Sequence, residues 1–296
     1  MTVQGTVVAG IDGSDLAIGA ARWAAAEAAR HRCVLRLVRA YRMPPASNPE
    51  AASLLWSHAH HQLWNAAHRV RAVVPELAVE QAVVEGDPTE VLLHESAGAR
   101  LLVVGTRGVG GFAALLVGSV GAALARRAEC PLVVVRGPVL PDAALTRADR
   151  TRPVVVGVDG SPAGETALAF AFAEADAWSA PVVAVHAWLE HLEEADALAG
   201  LAELEQHERE VLAERLAGWT GKYPGVPVSR ELVHGPPARA LVAWSDTARL
   251  VVVGSTGRGR VGRALLGSTG RALLQHANAP VAVVRPDAAG NRDPGP

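Results

Sequence analysis

The sequence predicts an α/β fold made in two tandem copies, each a five-stranded parallel sheet flanked by helices. Three observations predict it. The string VVAGIDGS at residues 7–14 returns as VVVGVDGS at residues 154–161, displaced by 147 residues, and LLVVG at 101–105 returns as LVVVG at 250–254, displaced by 149. Such self-similarity marks repeated structural units. Within each copy, short valine-rich runs alternate with longer stretches of helical apolar spacing, the pattern of strands joined by crossover helices. The runs are also nearly continuously apolar, as in strands covered on both faces.

In order, strands are expected near residues 6–11, 34–40, 78–84, 101–105 and 131–136, and again near 153–158, 181–187, 227–233, 250–254 and 280–284. Helices fill the intervals. Ser161 followed by Pro162 supplies an N-cap and a first helical residue after the first strand of the second copy. Pro88 and the pair Pro236-Pro237 mark the chain leaving the third strands. The change of offset from 147 to 149 implies a net insertion of two residues between the motifs, while CPLVVVR at 130–136 and APVAVVR at 279–285 keep the second spacing. The expected layout is a first domain over 1–137, a linker over 138–152 rich in Pro, Asp and Arg, a second domain over 153–286 and a polar tail over 287–296.

Composition narrows the function classes. The chain has 28 basic and 30 acidic residues among 296, so no net field draws it to nucleic acid or to an anionic membrane. Lys222 is its only lysine. A phosphate grip must therefore use arginine, hydroxyls or backbone N–H groups. Cys33 and Cys130 show neither metal-ligand spacing nor the density of a disulfide scaffold. The opening residues, MTVQGTVVAGIDGSD, lack a basic leader. The longest apolar run, from Phe112 to Ala125, is broken by Gly118, Ser119 and Gly121 and is too short to span a bilayer. A cytoplasmic setting, with neither membrane nor nucleic acid as partner, is the expectation.

The strongest local signal follows the fourth strand. GTRGVGGFAALLVGS at 105–119 and GSTGRGRVGRALLGS at 254–268 both read G-x2-G-x9-G-S. Glycines permit close backbone approach, so successive N–H groups can converge on phosphate oxygens. The terminal Gly-Ser opens a helix whose first N–H groups and dipole favour an anion, and Ser119 and Ser268 add hydroxyls. A tight loop is the plainer explanation of such glycines, but it does not require the same long interval in both copies. The strings Gly108 to Ala113 and Gly257 to Gly262 also imitate a dinucleotide fingerprint. That fingerprint needs an early strand and an acidic residue ending the next one, whereas here the next strand ends in Arg136 or Arg285.

Asp12 and Asp159 stand at the carboxyl ends of the first strands, the edge at which open α/β sheets bind ligands. Each carboxylate can accept hydrogen bonds from a ribose or an adenine. An Asx-type turn in Asp-Gly-Ser that starts the next helix explains the same residues without a ligand.

Taken together, VGVDGS, the G-x2-G-x9-G-S segment and PVAVVR resemble the universal stress protein family, over both halves of the chain. The resemblance implies tandem Rossmann-like domains of the adenine nucleotide alpha hydrolase-like type, with strand order 3-2-1-4-5 and ATP between the first and fourth strands. It assigns Asp12 and Asp159 to the nucleoside, and Gly105, Gly108, Gly254 and Gly257 to the ribose-phosphate path with Arg107. It assigns Gly118, Ser119, Val120, Gly267, Ser268 and Thr269 to the phosphates, and the backbone at Ala40 and Ala187 to adenine. The second copy departs in carrying Thr256 for Arg107 and Thr269 for Val120, with extra arginines Arg260 and Arg263. Two ATP molecules per chain are expected, with magnesium or manganese held through the phosphates. The copies are expected to pair about a pseudo-twofold axis and whole chains to form homodimers through the closing strands LVVVR and VAVVR.

Other features read as structural. His58, His60, His61 and His68 share a helix with Trp56 and Trp64, and no Cys or carboxylate cluster completes a metal site there. Leu201, Leu204, Val211, Leu212, Leu216 and Trp219 fall near helical spacing and cover a sheet. The acidic residues Glu190 to Glu194 are solvated surface. The leading functional reading is an ATP-binding regulatory module. An ATP hydrolase or adenylyl-transfer enzyme is the alternative, disfavoured as a fast ATPase because no G-x-x-x-x-G-K-[ST] is present. A nucleotide-independent scaffold would leave the intact glycine motifs without a purpose.

Overall fold

The structure, a computed structural model, describes residues 5–44, 48–106, 118–136, 151–188, 197–257 and 266–286. Arg107, Gly108, Arg260 and Arg263, the acidic run at 190–194, most of the expected linker and the tail lie outside the described residues. The chain divides into two compact units, which separate between Asp149 and Arg150.

In the first unit the order is β1 (Thr6–Gly10), α1 (Asp15–Arg30), β2 (Val34–Tyr41), α2 (Pro49–Arg71), β3 (Val79–Glu85), α3 (Pro88–Ser96), β4 (Leu101–Gly105), α4 (Ser119–Arg127) and β5 (Leu132–Val135). Its strands pair in parallel as β3-β2-β1-β4-β5. The second unit runs β6 (Val154–Gly157), α5 (Pro162–Trp178), β7 (Val182–Trp188), α6 (Ala197–Lys222), β8 (Val228–His234), α7 (Pro237–Trp244), β9 (Leu250–Gly254), α8 (Ser268–His276) and β10 (Val281–Val284). Its strands pair as β8-β7-β6-β9-β10, also all parallel. In both units the strand order reverses between the first and fourth strands, which opens a crevice at their carboxyl ends.

The repeat offset is still 147 at Ala40 and Ala187 and has become 149 at Val79 and Val228. The inserted pair of residues therefore lies between the second and third strands. Burial departs from the sequence expectation at one place in each unit. The central strands β1, β4, β6 and β9 are buried along most of their length, but no residue of β3 or β8 is. Each is paired on one side, to β2 or β7. Their Glu80, Gln81, Ser229 and Arg230 suit a strand that keeps a partly solvated face.

The helices are placed by small residues and caps. Ala17, Ala20, Ala21, Ala24, Ala25 and Ala28 of α1 are buried, so the helix backbone rests close on the sheet. α5 uses bulk instead: fully buried Phe172 stacks on Trp219 of α6 and on Tyr223, the residue that follows the helix, at 5.9 and 5.8 Å between ring centroids. Leu212 and Leu216 of α6 are buried with them, and Leu204, Val211 and Trp219 are partly so, whereas the side chain of Leu201 lies outside the described ones. Each such large apolar side chain contributes up to about 1.5–3 kcal/mol against an extended unfolded chain.

Cys33 and Cys130 are buried and form no disulfide. Burial pushes the Cys130 thiol up to about 12, so it stays protonated and inert near neutral pH. On α2 the histidines meet their own helix: Trp56 lies 3.8 Å from His60 and Trp64 5.5 Å from His68 between ring centroids, and His58 Nε2 lies 2.9 Å from Gln62. No described helix is long and apolar enough to cross a membrane.

Ser161 caps α5 as its sequence position predicts, its Oγ accepting the Gly164 N–H at 3.0 Å, with Pro162 opening the helix. The same hydroxyl donates to Asp159 Oδ1 at 2.7 Å. Replacing Ser161 by Ala should therefore lower stability by about 1 kcal/mol in urea unfolding. An unchanged unfolding midpoint would show that the cap carries no weight.

Candidate functional site

The site grows from three chain segments at the carboxyl edge of each sheet. First comes Asp-Gly-Ser after the first strand. Asp12 Oδ1 accepts the N–H of Ser14 at 2.9 Å and its hydroxyl at 2.6 Å, and Ser14 Oγ takes the Ala17 N–H at 3.2 Å. Asp159 and Ser161 repeat this at 2.9, 2.7 and 3.0 Å to the corresponding groups. The Asx turn is thus real in both copies, and one carboxylate oxygen builds it. Asp159 also borders a crevice, where its Oδ2 is the atom that a Cβ on Gly257 would meet at 3.0 Å. The turn and the crevice use different oxygens of one side chain.

Between Asp and Ser stand Gly13 and Gly160, with φ of +89° and +70°. Positive φ suits glycine, and the bare Cα lets a side chain lie directly on the turn. In the first unit that side chain is Gln62 of α2, and in the second it is Arg215 of α6, which also pairs with Glu165 at 3.2 Å.

The second segment follows the fourth strand. Gly254, Thr256 and Gly257 border the crevice. At Gly254 the missing Cβ does not face it: an added Cβ would lie 2.8 Å from the carbonyl carbon of Ala163. At Gly105 it would lie 3.0 Å from the carbonyl carbon and oxygen of Leu16. Glycine is needed there because the first turn of α5 or α1 packs on the end of the strand.

Third is the entrance of the fourth helix. Gly267 is the N-cap of α8, with φ −61° and ψ 159°, and it has no side chain with which to cap. Its N–H donates to Ser255 O at 2.9 Å, and its carbonyl accepts the Arg271 N–H at 3.0 Å. Ser268, Thr269 and Gly270 precede that first helical bond, so helix geometry gives their N–H groups no intrahelical partner. All three residues border the crevice. Gly118 repeats the arrangement on α4, its N–H on Thr106 O at 2.8 Å and its carbonyl on Ala122 N–H at 3.1 Å, with φ −68° and ψ 158°. Ser119 and Val120 are then the first two helical residues.

In the second unit these segments enclose a cavity of about 180 Å³, with Val185 and Ala187 of β7 and Pro237 and Leu241 of α7 as an apolar wall. Asp159, Ala187, Gly254, Gly257, Gly267, Ser268 and Thr269 all border it. Apolar wall, one carboxylate and a set of helix-entrance N–H groups form a concave site suited to a ligand with a flat apolar part and an anionic end. In the first unit Asp12, Ala40, Gly105, Gly118, Ser119 and Val120 hold the matching chain positions, while Arg107 and Gly108 lie outside the described residues.

Sequence reasoning passed over Arg39, Gln62, His186, Glu208 and Arg215. Arg39 Nε donates to Gln62 Oε1 at 2.6 Å, and its Nη1 donates to Ala40 O. Burial pushes this guanidinium below its ordinary range, and the nearby Asp12 carboxylate partly offsets the shift. His186, 3 % exposed, sets Nδ1 2.7 Å from Val158 O and Nε2 2.8 Å from Glu208 Oε2. A signal existed, since Arg39 in LVRAY and His186 in VAVHAW are polar residues inside apolar strands.

A model described as the Universal stress protein family matches residues 5–136 and 150–285. A universal stress protein of Mycobacterium tuberculosis is 39% identical over 295 residues, covering 95% of this chain and 97% of that protein. One of Mycolicibacterium smegmatis is 36% identical over 289 residues, with 95% and 97% covered. Among solved structures, a universal stress protein from Archaeoglobus fulgidus superposes with a TM-score of 0.68 at 18% identity, over 95% of this chain and 98% of that one, a likeness of fold.

Proposed function

The chain belongs to the universal stress protein family, and from that premise we propose that it is a nucleotide-responsive regulatory module that binds ATP in the crevice of each unit. The observation that carries this reading is the convergence of Asp159, Ala187 and the uncapped entrance of α8 on one cavity in the second unit. The apolar wall takes the base, the carboxylate takes the ribose, and the N–H groups of Ser268, Thr269 and Gly270 take phosphate oxygens. The donor set fits a triphosphate, since it consists of backbone N–H groups without intrahelical partners and of the hydroxyl residues Ser268 and Thr269, all at one helix entrance bordering the cavity. Lys222 takes no part, lying 5.9 and 5.7 Å from the ring centroids of Trp219 and Tyr223 at the far end of α6. Magnesium or manganese would bridge the phosphate oxygens.

Nucleotide released from freshly purified chain should be identified by mass spectrometry as ATP or its diphosphate. Calorimetric titration of stripped chain with ATP and magnesium should approach two equivalents. A chain that carries no nucleotide and takes up none would overturn the reading.

A further inference from the structure

In a parallel sheet, residues two apart along a strand turn their backbone N–H and C=O groups to the same side. Val38 O accepts the Ile11 N–H at 2.8 Å, just past the end of β1. Ala40, two residues on, therefore turns its backbone groups to that side beyond the reach of β1. In the second unit Val185 O accepts the Val158 N–H at 2.9 Å, so Ala187 faces past the end of β6, into the cavity that it borders. These two alanines offer equivalent donor and acceptor pairs. Their preceding residues differ, and so does the state of the carbonyl.

In the first unit Arg39 Nη1 donates to Ala40 O, while Arg39 Nε is held by Gln62 at 2.6 Å and Asp12 attracts the guanidinium. In the second, both nitrogens of His186 are engaged elsewhere, at Val158 O and Glu208 Oε2. His186 therefore sends neither nitrogen to Ala187 O. The clamp on Val158 also fixes the residue beside Asp159.

We infer that the residue before the base-facing alanine sets base affinity and selectivity, so that the second unit is the tighter, adenine-selective site and Arg39 weakens and relaxes the first. The inference rests on the proposed nucleotide reading. An adenine presents a 6-amino donor, which needs the alanine carbonyl as acceptor, while guanine presents an oxygen there and meets repulsion. At Ala40 that acceptor already serves a guanidinium, whose remaining N–H groups suit the guanine oxygen instead. A carbonyl has a second lone pair, so the first site is weakened rather than abolished. Loss of one such hydrogen bond corresponds to about tenfold in affinity.

The test is calorimetric titration of the full chain with ATP and separately with GTP, both with magnesium. Wild type should show two ATP classes about tenfold apart, with GTP competing well only at the weaker one. Arg39→Val should tighten the weaker ATP class about tenfold and leave the other unmoved. Arg39→His, which installs the second unit's residue, gives the same readout should valine disturb the fold. Two ATP classes of equal affinity, or a weaker class that neither variant moves, would overturn the inference and leave nucleotide binding standing. No ATP uptake by wild type would overturn both together.

Discussion

Replacing Gly118 and Gly267 by valine is expected to abolish nucleotide binding in both units while each stays folded. At Gly267 an added Cβ would find Ser255 O at 3.7 Å and Gly257 N and Thr256 Cα at 3.9 Å, ordinary contact distances. The backbone there, at φ −61° and ψ 159°, is open to any L-residue, and Gly118 has nearly the same angles. At Gly267 the apo fold therefore has room for an added Cβ. The ligand does not, because the valine methyl groups would stand beside the N–H groups of the helix entrance, where phosphate oxygens must approach. A ligand that binds only the native state adds about 2.7 kcal/mol at a hundredfold excess over its dissociation constant. Gly118→Val should lose the first unit's share of that gain, Gly267→Val the second's, and the double variant all of it. Chemical unfolding with and without ATP, beside circular dichroism of the apo chains, separates lost binding from lost structure. A folded double variant that takes up ATP with unchanged affinity would remove the phosphate role from these glycines.

Gly254→Ala should fail in the opposite way. Its Cβ would lie 2.8 Å from the Ala163 carbonyl carbon and 2.9 Å from the oxygen, and backbone cannot step aside as a flexible side-chain end can. Either α5 lifts from β9 or the strand end bends. Overpacking of this kind costs about 1–3 kcal/mol, visible in urea unfolding with no nucleotide present. Gly105→Ala, at 3.0 Å from the backbone of Leu16, should do the same in the first unit. Full apo stability in Gly254→Ala, combined with loss of ATP binding, would mean that this glycine serves the ligand and not the packing. Two glycines of one spaced motif are thus expected to separate into a stability role and a binding role.

That separation could not be read from G-x2-G-x9-G-S. Spacing shows that a side chain is excluded, but which neighbour excludes it depends on where the absent Cβ would point. The strands were legible to within about a residue because valine-rich runs bounded by turn residues leave few alternatives. Ser161-Pro162 gave the start of α5 for a similarly local reason. The partly solvated β3 and β8 were misjudged as covered on both faces. Their apolar residues hid an edge position, and that is a property of sheet order. Asp159 was legible as a turn builder at the carboxyl edge of the sheet, yet only the fold shows that the turn engages Oδ1 while Oδ2 lies toward Gly257 at the cavity. Arg39 and His186 were missed because their meaning lies in direction. One turns to the carbonyl of its neighbour and the other to Val158 and Glu208, across distances that sequence position does not encode.

In the proposed complex the uncapped helix entrances hold the phosphates of a bound nucleotide. Amide NMR of the uniformly nitrogen-15-labelled full chain, titrated with ATP and magnesium, tests this residue by residue. The largest shifts are expected at the N–H groups of Ser119, Val120 and Gly121 and of Ser268, Thr269 and Gly270, saturating with ATP and reproduced in part by inorganic triphosphate. Shifts that leave both helix entrances untouched while ATP saturates elsewhere on the chain would contradict it.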